Sequence, residues 1–406
     1  MTQIDELILP RLVALRGGLG NVPSVRLAGV HAGIKKRKRD LALIAFDAPQ
    51  VCASMITTNE IKAAPVLVTR ESLKTHGSQM RAIVCNSGNA NACTGAKGER
   101  DARATARQAG ALLGVPKQSV VVASTGVIGV PLPIDRISKS LERAAEDLEA
   151  GGEAAWDAAE AIMTTDRVPK LAAYAFYDGE KRYVVGGIAK GSGMIAPNIA
   201  TMLAFIATDA PMAQEELQRH LAAAADASFN MISVDGDMST NDSVYAFAPV
   251  TEAAAPKHFA AALRKLCEEL AQAMVADGEG ATKALTVHVT GSVSEEQARV
   301  VTRSIINRNS VKSMINGEDP NWGRIVAAAG EARAGIDPDT WSLYLNDLLW
   351  VDVGAVEVLS EAEGHRELEH KNIIIRLDLG IGTSAATGWA CDISRDWVRI
   401  NASYRT

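Results

Sequence analysis

The sequence predicts a mixed α/β body built in layers, and three observations carry that expectation. Short apolar runs bounded by glycine or polar residues recur along the 406 residues, Ala-rich stretches with helical spacing lie between them, and the two kinds alternate irregularly. Leu41–Asp47, Ala82–Asn86 and Ser119–Ala123 read as the first strands. Asp101–Gly114 reads as a helix stopped by Gly114 and Pro116. Ile137–Thr164 reads as one long helix. Strands follow at Tyr183–Ala189 and Leu203–Ala207, then a helix over Ala213–Phe229 and a strand over Val244–Val250. The helix Pro256–Asp277, the strand Ala284–Thr290, the helix Ser294–Asn307 and the strand Ile373–Leu379 complete the pattern. Arg333–Lys371 is the least patterned segment, and its charged part, Glu357–Lys371, reads as a solvated surface stretch. No linker or internal repeat stands out, so the length points to two domains or one large layered body.

Composition narrows the function classes. Forty-two Lys and Arg against 48 Asp and Glu give a net charge of −6, which argues against binding driven by phosphate neutralisation or by an anionic membrane surface. With aromatics at 4%, a base-stacking platform is not expected either. The five cysteines, Cys52, Cys85, Cys93, Cys267 and Cys391, form no C-x-x-C pair and suit buried, reduced thiols. No apolar run reaches the roughly 18 residues of a membrane helix, and Asp5 and Glu6 spoil a secretory start. A cytoplasmic protein is expected.

Several familiar motifs fail on inspection. Gly17, Gly18 and Gly20 lack the spacing of a dinucleotide loop. Gly278–Lys283 has the composition of a phosphate loop without its Gly-Lys-Ser/Thr order. Asp235–Asn241 alternates oxygen ligands, but Thr240 stands where an EF-hand needs glycine and Ala246 where it needs a bidentate glutamate. The histidines show no paired zinc spacing, and there is no G-x-S-x-G elbow. No metal is expected.

Gly187–Phe205 is the most informative stretch. It allows a plain reading: a strand, a glycine-rich turn and a buried strand starting near Thr201. It also allows a chemical one. A threonine hydroxyl is a weak nucleophile, but an N-terminal threonine carries its own base in an α-amine of pKa about 7.7–8. Creating that terminus inside a chain requires the preceding bond to break. The small Ala200 leaves its carbonyl open to the Thr201 hydroxyl, and Gly191 and Gly193 free the backbone for the approach.

This stretch resembles that of the ornithine acetyltransferases, or glutamate N-acetyltransferases, the ArgJ family of arginine biosynthesis. Seven further blocks carry the same resemblance in the family's order: Ala82–Gly95, Ala123–Gly129, Ala161–Asp166, Val234–Asp242, Asp277–Lys283, Gly317–Arg324 and Val398–Thr406. Ile199 and Ser403 depart from the family's usual Met and Asp, and Arg333–Lys371 matches poorly. The resemblance implies self-cleavage between Ala200 and Thr201, giving an α chain of residues 1–200 and a β chain of residues 201–406. The two would build a layered α-β-β-α body jointly and assemble as an α2β2 heterotetramer. The implied reaction moves an acetyl group from N2-acetylornithine to glutamate through an acetyl-threonine, without a cofactor. Some members also take acetyl-CoA as donor, although no generic coenzyme A fingerprint is present here.

The resemblance also assigns residues. Thr201 is the nucleophile. Thr125 and Gly126 match the oxyanion pair that attack on an amide requires; without the resemblance they read as a tight turn. Thr164, Lys190, Glu279, Asn401 and Thr406 match substrate-binding positions, with Thr165 adjacent to the first. Lys190 suits a carboxylate and Glu279 the ornithine ammonium. Their plain readings are a surface lysine and a solvated helix-end carboxylate, and Asn401–Thr406 reads as an extended polar end. Asn86–Asn91 and Asp235–Asp242 are expected to form structural hydrogen-bond networks near the site rather than to bind ligands. The competing functions are an N-terminal-nucleophile aminopeptidase or amidase on a related fold and an uncleaved binding protein.

Overall fold

In the computed structural model, which describes residues 11–196, 202–354 and 356–403, two β-sheets organise the chain. Nine strands form the larger sheet among the described residues: β1 (Val13–Leu15), β2 (Val25–Val30), β3 (Leu41–Ile56), β4 (Met80–Asn89), β5 (Val120–Val127), β6 (Lys170–Asp178), β7 (Lys181–Lys190), β8 (Leu203–Thr208) and β10 (Ser243–Pro249). Their order is β1-β6-β7-β8-β10-β3-β4-β5, with β2 also pairing with β3. Strands from both sides of residues 200 and 201 therefore share one sheet.

The long strand β3 explains the architecture. Its first half pairs with β2 and β4 and its second half with β10, and the ladder to β4 breaks between Ala45 and Gln50. Asp47, Ala48 and Pro49 lie exposed at that break. The sheet bends there and doubles over on itself. Alternating side chains then face different layers, as the two-residue period of a strand requires. Ala42, Ile44 and Phe46 enter an inner apolar layer that Tyr245 and Phe247 enter from the other half, with the Phe46 and Phe247 rings 4.8 Å apart. Each large side chain buried there contributes about 1.5–3 kcal/mol.

The helices of this body are α1 (Ala64–His76), α2 (Gly95–Leu113), α3 (Ile134–Glu146), α4 (Gly152–Ile162), α5 (Gln214–Asp226) and α6 (Phe259–Ala276). Leu41 and Leu43 face outward onto α2 and α3. On the opposite outer face, Val244, Ala246 and Ala248 meet α5 and α6. The resulting order is helix, sheet, sheet, helix, the α-β-β-α layering that the resemblance implied. Helix α4 places Ala155, Ala158, Ala159 and Ile162 against the inner layer.

The second sheet has seven strands among the described residues: β9 (Ile232–Ser233), β11 (Ala284–Ser292), β12 (Ser342–Leu345), β13 (Leu348–Asp352), β14 (Val356–Glu357), β15 (Asn372–Asp378) and β16 (Ser384–Cys391). Helices α7 (Glu295–Ile306), α8 (Asn309–Gly317) and α9 (Gly323–Gly330) pack on one face of it around the fully buried Trp350. The remaining α-helices among the described residues are α10 (Glu361–Leu368) and α11 (Arg395–Ser403).

Three expectations change. The stretch 137–164 is two helices, α3 and α4, because Gly151 adopts φ +102° and Glu149 exchanges backbone hydrogen bonds with Leu27. Segment 333–371, in which the sequence pattern shows no strand, supplies β12, β13 and β14 and buries Leu343, Leu345, Trp350 and Val351. Its strands are too short for periodicity to reveal, although the charged part from Glu357 is mostly exposed as expected. Four cysteines are buried and all five are unpaired, but Cys93 is exposed. Among the described residues no helix is long and apolar enough to cross a membrane.

Candidate active site

Strand ends and loops from distant parts of the chain converge on one cavity of about 120 Å³. The parallel pair β4 and β5 sets Gly88 beside Gly126. Gly126 adopts φ +127°, and a Cβ there would sit 2.5 Å from the Gly88 carbonyl carbon, so only glycine lets these strand ends approach. Thr125, one residue earlier, is buried. Lys190 ends β7 at 2% exposure, and its Nζ lies 3.4 Å from the Thr125 Oγ1. It is a buried cation, not a surface lysine.

A buried ionic network holds these groups. The Asp166 carboxylate accepts from the Gly191 N–H at 2.8 Å, the Lys170 Nζ at 2.7 Å and the Thr164 N–H at 3.0 Å. Burial alone would push the Asp166 carboxyl up. The Lys190 and Lys170 ammoniums and the Thr164 N–H outweigh it and hold the carboxyl at about 2. Asp166 is thus an anion that fixes the backbone on either side of the cavity. Lys170 also bonds Asp277 at 2.7 Å, and Asp277 accepts from the Arg167 Nε at 2.9 Å.

The turn after α6 is aimed from the same network. The Asp277 carbonyl accepts from the Ser192 hydroxyl, and the Glu279 N–H donates to the Ser192 carbonyl at 2.7 Å. Glu279 is only 7% exposed, which sets aside a solvated carboxylate. Its carboxylate lies across Gly193, where a Cβ would fall 2.4 Å from the Glu279 Cδ. Asn401 donates from Nδ2 to the Glu279 Oε2 at 2.9 Å. Asn401 belongs to α11, so the C-terminal end is helical through Ser403 rather than extended; the polar sequence shows no apolar stripe to announce it.

Of the residues assigned from sequence, Thr125, Gly126, Thr164, Lys190, Glu279 and Asn401 line this cavity together, as does Thr165. Ala200, Thr201 and Thr406 lie outside the described residues. Asn86–Asn91 and Asp235–Asp242 do form dense networks: Asn86 bonds Ser124, and Asn241 donates to the Ala90 and Ser124 carbonyls at 2.7 and 2.8 Å. Asp235, Asp237, Ser239 and Asn241 also line the cavity, beyond what the sequence reading assigned them. The roles of Asp166, Lys170 and Asp277 were missed as well. The only sequence signal was that they fall in the blocks Ala161–Asp166 and Asp277–Lys283 or just beside them.

The arrangement joins a cation, a hydroxyl, a glycine backbone at a strand end and a buried carboxylate in one small space. It suits an amino-acid substrate with charge at both ends, and it offers donors to an oxygen that gains charge. Among the described residues, one group brings several metal-ligand types close: Glu318, His365 and Glu369, with ligand atoms within 4.8 Å of one another. None of them lines the cavity, and Glu318 is engaged by Lys283 at 2.6 Å.

The ArgJ family model matches residues 26–406. A protein of Symbiobacterium thermophilum described as arginine biosynthesis bifunctional protein ArgJ is 45% identical over 403 residues, covering 97% of this chain and 99% of that one. A protein of the same description from Geobacter sulfurreducens is 45% identical over 400 residues, covering 95% and 100%. Among solved structures, ornithine acetyltransferase of Mycobacterium tuberculosis complexed with ornithine is 40% identical over 46% of this chain and 98% of that chain, with a TM-score of 0.43.

Proposed function

The chain belongs to the ArgJ family, and on that premise we propose that it transfers an acetyl group from N2-acetyl-L-ornithine to L-glutamate. The observation that carries this reading is the convergence of Thr125, Gly126, Thr164, Lys190, Glu279 and Asn401 on one cavity. In this reading Thr201 first attacks the Ala200 carbonyl, and water opens the resulting ester to leave a free N-terminal threonine. The same hydroxyl then attacks the acetyl carbonyl of the donor, and the new α-amine takes its proton. The Thr125 hydroxyl and the Gly126 N–H stabilise the oxyanion. Ornithine leaves, and the glutamate amine collects the acetyl group in a second, equivalent attack.

Substrate binding follows from charge. The Lys190 ammonium receives a substrate carboxylate, and Thr164 and Thr406 add donors. Glu279, steadied by Asn401, receives the ornithine ammonium. The same reading has an α chain of residues 1–200 and a β chain of residues 201–406, an α2β2 assembly in the cytoplasm, no cofactor, and acetyl-CoA as an alternative donor. The relatives described as bifunctional support a second activity of some kind. The test is to supply acetylornithine and acetyl-CoA separately and to measure acetylglutamate and free acetate. Acetylglutamate formed in step with ornithine release is expected. Acetate released at the same rate without glutamate would make the protein a hydrolase instead.

Two substitutions probe the carboxylate. Glu279→Gln keeps the shape and removes the charge, so it should weaken acetylornithine and ornithine by about 1–3 kcal/mol and glutamate by less. Competition and KM measurements decide this, and equal losses for both substrates would make Glu279 structural. Gly193→Ala places a methyl group against the Glu279 carboxylate and pushes it aside. It should raise the KM for acetylornithine about tenfold, a cost of about 1.4 kcal/mol, while Tm changes little. An unchanged KM would show that the position of Glu279 does not matter to binding.

A further inference from the structure

We propose that Lys312 is a positioning residue for self-cleavage: it anchors the segment Val234–Ser243, which grips the chain on both sides of the Ala200–Thr201 bond. This inference rests on the reading that Thr201 cuts that bond.

The grip is visible at both flanks. Upstream, the Ile195 carbonyl accepts from the N–H groups of Val234, Asp235 and Gly236 at 2.9, 3.3 and 3.2 Å. In return the Asp235 carboxylate accepts from the Met194 and Ile195 N–H groups at 2.5 and 2.9 Å. Met194 is held at φ +56°, a left-handed conformation that a residue with a side chain adopts only when its surroundings impose it. Downstream, the Asp242 Oδ1 accepts from the Met202 N–H at 3.0 Å, and the Ser243 N–H donates to the Met202 carbonyl at 3.0 Å. One short segment therefore holds the chain at Met194 and Ile195 upstream of the bond and at Met202 downstream of it. An attack of a hydroxyl on the carbonyl next to it depends on such fixing, because misorientation forfeits most of the advantage of proximity.

Lys312 is what this segment leans on. It lies on α8 with no exposure, and its Nζ donates to the Ser233 hydroxyl at 2.7 Å and to the Val234 carbonyl at 2.8 Å. The Ser233 hydroxyl in turn donates a hydrogen bond to the Asn307 Oδ1 at 2.8 Å, which ties the same point to the end of α7. Burial pushes the Lys312 ammonium down to about 8, against the pull of Cys391 and Asp235. A buried ammonium is expensive to keep, and an apolar side chain of similar size would fill the space more cheaply. Its two bonds go to Val234, the first residue of the segment, and to Ser233 just before it, and hold the turn that presents Asp235.

The test compares folded precursors by the rate at which they split on a denaturing gel. Lys312→Met and Asp235→Asn should each slow cleavage at least tenfold, and the double variant should be no slower than the slower single one, as for two residues acting as a unit. Leu141→Ala, a core truncation in α3, supplies a destabilised control and should split at the wild-type rate. If Lys312→Met gives no folded precursor, Ser233→Ala takes its place; it removes one acceptor and should still slow cleavage severalfold. A wild-type rate in Lys312→Met or Ser233→Ala, or a slowing no greater than in Leu141→Ala at matched Tm, overturns the inference. A wild-type chain that is never cut would contradict the function reading itself, whereas normal cutting that ignores Lys312 contradicts only its positioning role.

Discussion

Thr201→Ala should remain a single uncut chain and transfer no acetyl group. In the proposed function Thr201 has two successive tasks, and both need its hydroxyl. Without it the Ala200 carbonyl meets no nucleophile, so no new N-terminus and no α-amine base arise. The loss should be complete rather than graded. Thr201→Ser separates the parts of this argument. It keeps the hydroxyl and loses the methyl that restricts χ1, so it should cut itself partly and retain some activity. A denaturing gel and an acetylornithine assay on the two variants read both outcomes.

Thr125→Ala should lower kcat by about 10²–10³-fold, the usual loss when one of two oxyanion donors is removed. The surroundings favour a clean result. Thr125 is buried on β5 beside Lys190, and alanine leaves the register with β4 and the glycine conformation at 126 untouched. The Gly126 N–H remains as the second donor. Acetylornithine affinity should change little, because in the proposed role the hydroxyl serves charge that forms only in the transition state. A large rise in KM with kcat intact would make Thr125 a binding residue instead.

The legible parts of the fold are those where local pattern and burial agree. Leu203–Ala207 and Val244–Val250 are continuous apolar runs because their strands are covered on both faces, one by the inner layer and the other by α5 and α6. Helices α5, α6 and α7 carry ordinary apolar stripes and were placed to within a few residues. The bend of β3 was not legible, since it depends on a broken ladder at Asp47–Pro49 that sequence spacing does not encode. Strands β1, β9 and β14 are too short to show a period.

The site divides in the same way. Thr125, Lys190, Glu279 and Asn401 were legible only through the resemblance, and their partners lie far off in sequence: 65 residues separate Thr125 from Lys190, and 122 separate Glu279 from Asn401. The network under the cavity joins Lys170 to Asp277 across 107 residues. No periodicity can report such a pair, because a buried salt bridge leaves no trace in either residue's local pattern. The anchoring of Ser233 by Lys312, 79 residues apart, was hidden for the same reason.

The central claim is that Thr201 carries the acetyl group between the two substrates. The most direct measurement is mass spectrometry of the protein after a brief pulse of acetylornithine without glutamate. One added acetyl group on the fragment that begins at Thr201, discharged when glutamate is added, is the predicted result. An acetyl group on another residue, or none while acetylglutamate still forms at the normal rate, would contradict the account.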